Sequence, residues 1–431
     1  LALIDAGFKV KSYKVGPDYI DPAFHSRITG IPCDNIDTWM MPQERIIDMV
    51  SSNSENYDIS VIEGVMGLYD GISGSGDEGS TADIARILKT PVVLVMDISG
   101  MGRSAAAVAK GFQSMANGFP ISGFILNRAG SEGHYAMVRD AIESETGIPV
   151  LGYIRGDHGI EIGSRHLGLV QSIEHEDMNS FYIDLKKDSK IDVKKIVEIS
   201  ETAVPISHRS MDAGDKGDHP VAIAVAYDEA FDFYYEENLR MMSVEGSEIK
   251  FFSPMRDEKV PEGSCGIYMG GGFPEVFALR LSENVKMMED LRRKILGGMP
   301  VYAECGGYMY LCRNIILKDG TVSGGLGIIP ADAKMTETLT MGYREIVSKG
   351  KNILMDKGDT SRGHEFHYSE INYFEDADHP FILRFRGREK EDGFVSASIL
   401  ASYAHIHFSS NPRIPKNFVA ACRDYCNKNE K

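Results

Sequence analysis

Basic charge is what this chain is short of. Its 46 Lys and Arg stand against 63 Asp and Glu, a formal net charge of −17 at neutral pH. Nucleic acids and anionic membranes are gripped by basic surface, so neither is expected as a broad partner. Long apolar runs are also missing, and nothing approaches the roughly 20 residues that a membrane-spanning helix needs. No signal-peptide pattern is visible. Cysteine is sparse, at positions 33, 265, 305, 312, 422 and 426 without paired spacing. That argues for a reducing, cytoplasmic setting over a disulfide framework. Cys422 and Cys426 fall in a helical tail and read as part of its amphipathic pattern. Internal repeats and low-complexity blocks are absent.

What is there is an ordinary globular composition, 43% hydrophobic and 25% charged, in 431 residues, too many for one usual domain. YDISVIEGV, PVVLVMDI, ISGFILNR and PVLGYI read as strands, and TADIARILK, SAAAVAKGFQSMA and HYAMVRDAIESET carry helical periodicity between them. Such alternation implies a parallel sheet covered on both faces, with ligands at the C-terminal ends of its strands. Ahead of it, residues 1–6 read as a helix closed by Gly7, and Phe8 to Val15 as a strand. The chain therefore opens inside a helix. Residues 206–219 turn polar and Gly-rich and read as a linker, dividing a first domain (1–205) from a second (220–431) with its own α/β series.

In the second half, VYAECGGYMYL places Cys305 between a short apolar strand and two glycines that open a helical run. A strand–nucleophile–helix turn exposes its side chain, and a helix N-terminus favours a thiolate. Upstream, GIYMGGGFPE puts Gly270, Gly271 and Gly272 at another strand end, where free N–H groups can hold an oxyanion. Downstream, ASYAHIHF carries His405 and His407 at alternate strand positions, so both are expected on one face. One of them can take the thiol proton.

In the first half, KVGPDYIDP supplies Lys14, Asp18 and Asp21 just past a strand end, and VIEGVMGLYDG supplies Glu63 and Asp70 past another. Carboxylates so placed suit Mg²⁺ with phosphate oxygens, and a lysine suits phosphate.

GGGFPE, AECGG and the Tyr403-Ala404-His405 strand together resemble a class I glutamine amidotransferase domain. The resemblance implies that Cys305 attacks the glutamine amide, that His405 is its base, and that Gly271 and Gly272 form the oxyanion hole. The family usually carries His-x-Glu, so His407 stands in the glutamate's place as a possible orienting residue, and the third triad member is missing in its usual form. The first-half motifs, with Ser80 to Asp83 and Leu126 to Arg128, are similar to dethiobiotin-synthetase-like P-loop amidoligases. The expected fold is α/β: an N-terminal P-loop NTPase-like (dethiobiotin-synthetase-like) parallel-sheet domain and a C-terminal class I glutamine amidotransferase domain.

The order KVGPDYIDPAFH, VIEGVMGLYDG, FDFYYEENL, FFSPMRD, GGGFPE, AECGG, GYRE, GHEFHYS, ASYAHIHF resembles the cobyrinic acid a,c-diamide synthase family over essentially the whole chain. One departure is IGSRHLGL at 162–169, where the family reads close to LPERHLGL. The resemblance implies a cytoplasmic enzyme that uses glutamine, ATP and Mg²⁺ to amidate the a and c acetates of cobyrinic acid, with a homodimer left open by the sequence. Hydrogenobyrinic acid and nickel sirohydrochlorin are alternative tetrapyrroles. Asp18 and Glu63 are assigned to Mg²⁺, and Asp21 and Asp70 to substrate. His364, Glu365 and His367 face the tetrapyrrole or a domain interface, or simply make a satisfied polar strand. The family's phosphate loop, G-x-x-x-x-G-K-[ST], occurs nowhere in the chain; it is expected ahead of Leu1, without which the polypeptide keeps glutaminase chemistry and binds ATP poorly. A ParA-like regulatory ATPase shares the first half's fold but gives no reason for the second half's motifs, and a non-catalytic amidotransferase relic would not need Cys305 and His405.

Overall fold

The computed structural model describes residues 1–156, 164–165, 168–169, 171–174, 178–206 and 220–429. All of the expected linker except Ile206, and half of the 162–169 motif, lie outside the described residues. The chain forms two compact units, Leu1–Trp39 with Gln43–Ser210, and Met40–Pro42 with Met211–Lys431.

In the first unit the opening helix spans Ala2–Asp5, and Gly7 follows at φ +92°. The strand Val10–Val15 is buried at every position and lies between Asp34–Ile36 and Ile59–Glu63, all parallel. A second sheet has the order Val92–Asp97, Ile121–Ala129, Val150–Arg155, Ser189–Ile191, parallel except for the last pair. The helices Thr81–Leu88 and Glu132–Thr146 start on side-chain caps from Ser80 and Ser131, each accepting a backbone N–H of the first turn. The single covered sheet expected from the alternation is therefore two separately bonded sheets, and Val61 and Val95 stand 37% and 57% exposed on strands of each. Apolar alternation identifies strands but does not say which of them pair.

In the second unit a six-stranded sheet has the order Ser247–Phe252, Val221–Ala226, Gly266–Met269, Val301–Glu304, Ile399–Ser402, Phe394–Val395. All pairs but the last are parallel. Strand alternation splits its side chains between two cores. Met269, Ala303, Cys305 and Ala401 join one core, while Tyr268, Tyr302, Leu400 and Ile406 join the other. A second sheet is built on the long antiparallel pair Ile329–Ser348 and Thr360–Tyr373. The chain leaves Ile399–Ser402, passes Tyr403 and Ala404, and enters this second sheet at His405–Ile406, with His405 opposite His364. That crossing sets the candidate base against the nucleophile's strand.

The C-terminal helix Arg413–Asn429 buries Ile414, Phe418, Val419 and Cys422 against the sheet. It also corrects the cysteine reading: Cys426 is disulfide-bonded to Cys265, 161 residues away, with Cα atoms 5.4 Å apart. Local spacing could not reveal a bridge from a strand start to a distant helix. Among the described residues no helix is long and apolar enough to cross a membrane.

Candidate active site

The strand Val301–Glu304 ends at Cys305, whose backbone takes φ +44° and ψ −98°. A non-glycine residue in such a region stores about 1–3 kcal/mol of strain and marks a functional turn. Its N–H donates to Ser402 O at 2.9 Å, and its carbonyl accepts from Met309 N at 3.0 Å. At Gly306 a Cβ would lie 2.9 Å from Pro274 Cδ and 3.1 Å from Gly272 N, so the glycine loop closes directly over the turn. The thiol is buried, and burial, then Glu275 and Glu304, push its pKa up against the pull of the Gly306 N–H. The expected helix stabilisation does not prevail, because the following helix is six residues long and the thiol is buried. The resting group is a neutral thiol that needs a base.

His405 is fully buried beside that loop. A Cβ on Gly271 would lie only 2.4 Å from His405 Cε1, so the two are in direct contact. Gly270 donates its N–H to the Tyr234 hydroxyl at 2.7 Å and accepts from Gly307 N at 3.0 Å. Gly270 is thereby engaged in scaffolding, which leaves Gly271 and Gly272 as the oxyanion candidates from the trio. The His364 ring stacks on His405, with centroids 4.8 Å apart, and its Nδ1 sits 2.9 Å from the Tyr235 hydroxyl. Burial, then His405, Arg344 and His407, push the His364 pKa well down, so it stays neutral.

The strand carrying His405 ends at Ile406, so the alternation argument does not extend to His407. His407 instead caps a short 3-10 turn, and its ring packs against Tyr235 with centroids 4.7 Å apart. A carboxyl group does stand near His405: Glu304 Oε2 is 3.7 Å from its Nδ1, with both side chains buried. Sequence reasoning passed over Glu304, although an acid inside a buried strand directly before a nucleophile was a readable signal.

The GHEFHYS segment forms a paired ionic cluster on the second sheet. Glu365 meets Arg344 Nε at 2.5 Å, Lys390 Nζ at 2.6 Å and His367 Nε2 at 3.4 Å. Burial opposes its charge, but His367 and Lys390 hold the carboxyl down at about 2. The His367 ring stacks on Tyr403 at 3.8 Å, and the Tyr403 hydroxyl donates to Ser369 Oγ at 2.8 Å.

In the first unit Lys14 is the hub. Its Nζ lies 2.5 Å from Asp21, 3.5 Å from Glu63 and 3.8 Å from Asp18, and it donates to Gly64 O at 3.1 Å. Burial works against the ammonium, but Glu63, Asp21 and Asp18 outweigh it and raise its pKa. Burial and then Asp21 push Asp18 up to about 6. His25 pairs with the other Glu63 oxygen. Asp70 accepts the Gly67 N–H at 2.9 Å and closes its own loop, an arrangement separate from the Lys14 contacts. Among the described residues no set of three or more His, Cys, Asp or Glu is arranged to enclose a metal ion.

Residues 222–413 match the family described as CobB/CobQ-like glutamine amidotransferase domain, and residues 34–161 match an AAA domain. A Thermoplasma volcanium protein called cobyrinate a,c-diamide synthase is 48% identical over 429 residues, covering 100% of this chain and 94% of that relative. Relatives of the same name are 46% identical in Thermoplasma acidophilum (98% of this chain, 94% of theirs) and 40% identical in Priestia megaterium (98% and 92%). The chain belongs to the cobyrinate a,c-diamide synthase family. It is thus a carbon–nitrogen ligase with glutamine as amide donor, and couples an ATP-utilising α/β domain to a glutamine amidotransferase domain. That membership ends the regulatory-ATPase reading.

Proposed function

We propose that this enzyme amidates the a and c acetate carboxylates of cobyrinic acid in cobalamin biosynthesis, drawing ammonia from glutamine at Cys305. The observation that carries the reading is the strained Cys305 turn, closed over by the glycine loop that also touches His405, in a chain with near-full-length cobyrinate a,c-diamide synthase relatives. His405 accepts the thiol proton as Sγ attacks the glutamine side-chain carbonyl. The Gly271 and Gly272 N–H groups hold the oxyanion, and His405 returns the proton to the departing nitrogen, which leaves as ammonia. Water then cleaves the γ-glutamyl thioester to glutamate and regenerates the thiol.

In the first unit, the substrate carboxylate takes the γ-phosphoryl group of ATP to give an acyl phosphate and ADP. Ammonia displaces phosphate to leave the amide, once per acetate. Lys14 supplies the positive charge that phosphoryl transfer requires. Two carboxylates at a strand end beside an ammonium suit a divalent cation completed by phosphate oxygens and water rather than one enclosed by protein: Asp18 and Glu63 lie 3.8 and 3.5 Å from Lys14 Nζ. Asp18 and Glu63 would hold Mg²⁺, which binds through few carboxylates plus phosphate oxygens and neutralises their charge. Asp21 and, from its own loop, Asp70 are assigned to substrate or intermediate.

The test supplies ATP, Mg²⁺ and glutamine with cobyrinic acid, hydrogenobyrinic acid or nickel sirohydrochlorin in turn. It is run on this chain and on a form extended at its N-terminus by a phosphate-binding loop, with products read by mass. Conversion of cobyrinic acid to its diamide in preference to the others is expected. Turnover of nickel sirohydrochlorin alone would move the enzyme to a nickel tetrapyrrole, and turnover of none by either form would overturn the assignment.

A further inference from the structure

Base catalysis by His405 needs something to fix its ring and to neutralise the imidazolium that forms, because an isolated cation costs several kcal/mol in a dry site. The residue two positions on is His407, which packs on Tyr235. We propose that Glu304, the residue immediately before the nucleophile, is the positioning carboxylate of His405. The inference rests on the reading of Cys305 and His405 as nucleophile and base.

Four observations converge on it. Glu304 Oε2 lies 3.7 Å from His405 Nδ1, with both side chains 1% exposed. The carboxylate is itself clamped: Tyr268 donates to Oε2 at 3.0 Å, Tyr302 donates to Oε1, and the backbone N–H of Ile406 donates to Oε1 at 3.0 Å. Ile406 follows His405, so one carboxylate tethers the backbone beside the base as well as facing its ring. Strand alternation makes this possible, because Cys305 turns to one core and Glu304 to the other, where Tyr268, Tyr302 and Ile406 lie.

The titratable neighbours of the imidazole favour this assignment. From the Thr360–Tyr373 strand, His364 stacks on the ring and stays neutral, held down by burial and by His405, Arg344 and His407. From the glycine loop the uncharged Gly271 touches it. From its own segment, His407 is turned to Tyr235. Glu304 brings the opposite charge from the Val301–Glu304 strand. At 3.7 Å the contact is longer than a hydrogen bond, and catalytic hydrogen bonds commonly close only in the substrate complex. The acid sits one residue ahead of the nucleophile, where a His-x-Glu strand would place it two residues past the base.

The experiment is glutamine hydrolysis across pH by wild type and by Glu304→Gln, Glu304→Asp, Glu304→Ala, Tyr268→Phe, Cys305→Ala and His405→Ala. Glu304→Gln keeps one acceptor oxygen for Ile406 and Tyr302, turns an NH₂ donor toward Tyr268 and the imidazole, and drops the charge. Its kcat should fall roughly 10²- to 10³-fold with KM within about threefold. Losing the negative charge makes the imidazolium harder to form, so the acid limb of kcat/KM should move to lower pH. Tyr268→Phe leaves Oε2 freer for the imidazole and should move that limb upward. Glu304→Asp should recover activity that Glu304→Ala does not. Wild-type kcat in Glu304→Gln, or a loss with no movement of the limb and no advantage of Asp over Ala, overturns the proposal while Cys305 and His405 stand. Undiminished hydrolysis in Cys305→Ala would instead remove the reading beneath it. Should Glu304→Gln fail to fold, the opposed limb movement in Tyr268→Phe decides, and an unmoved limb there counts against Glu304.

Discussion

Adding a single methyl group at Gly271 should disable glutamine hydrolysis without touching the nucleophile. Gly271 is not in the left-handed region, so alanine fits its backbone, and the entire effect comes from the new Cβ. That atom would sit 2.4 Å from His405 Cε1, 3.3 Å from Nε2 and 3.4 Å from Nδ1. Carbon atoms rest about 3.5–4.0 Å apart, so ring and loop must separate by about 1 Å. The ring has little room to retreat, since His364 stacks on it and Glu304 lies at Nδ1. A displacement of about 1 Å in a catalytic group costs on the order of 10² in rate. Steady-state glutamate release by Gly271→Ala should therefore show kcat reduced about 100-fold. Overpacking should also cost stability, about 1–3 kcal/mol. Gly350→Ala is the control, because its Cβ would meet nothing within 4 Å, and it should hydrolyse glutamine as wild type does. A folded Gly271→Ala enzyme with wild-type kcat would refute the placement of His405 against this loop.

Two further outcomes follow from buried charge. Glu365→Gln leaves Arg344 and Lys390 without their shared carboxylate and should destabilise the second unit by about 3–5 kcal/mol in a thermal or denaturant melt; a loss under 1 kcal/mol contradicts the cluster. Because the Glu365 pKa is depressed, its contribution is present above the ordinary value near 4.5 and fades as pH falls through about 2. Asp18 has the opposite sign: raised to about 6, it contributes below its ordinary value near 3.8, and that contribution is lost as pH rises through about 6. Asp18→Asn should therefore stabilise the first unit near neutral pH by about 1 kcal/mol, below the ceiling of the full shift because the side chain is 27% exposed. The same variant should bind Mg²⁺ more weakly, and an unstabilised variant with unchanged Mg²⁺ binding contradicts both assignments.

Much of this site could be read from local sequence, and what could not depended on long-range pairing. The Cys305 turn and the glycine loop are local: a strand, a tight turn and the residues that permit it are neighbours in the chain. So is the Lys14, Asp18 and Asp21 group, on one strand end and the helix after it. Glu304 escaped notice because its partners His405 and Ile406 lie about a hundred positions on, in a different sheet. His407 was paired with His405 by an alternation rule that holds only while a strand continues, and the strand stops at Ile406. Asp70 is local too, accepting the Gly67 N–H three residues before it. The Cys265–Cys426 bridge spans 161 residues and leaves no mark in spacing. Periodicity found the strands of the first unit but not their division into two sheets, since pairing is decided by neighbours in space.

The central claim, that Cys305 is the nucleophile that His405 activates toward glutamine, is tested most directly by trapping the intermediate. The protein is mixed with glutamine, quenched in acid during steady-state turnover, digested and mapped by mass. A γ-glutamyl adduct confined to the Cys305 peptide is expected, absent in Cys305→Ala and strongly reduced in His405→Ala, with glutamate release falling in parallel. Glutamate released at the wild-type rate by Cys305→Ala, with no adduct on any peptide, would contradict it.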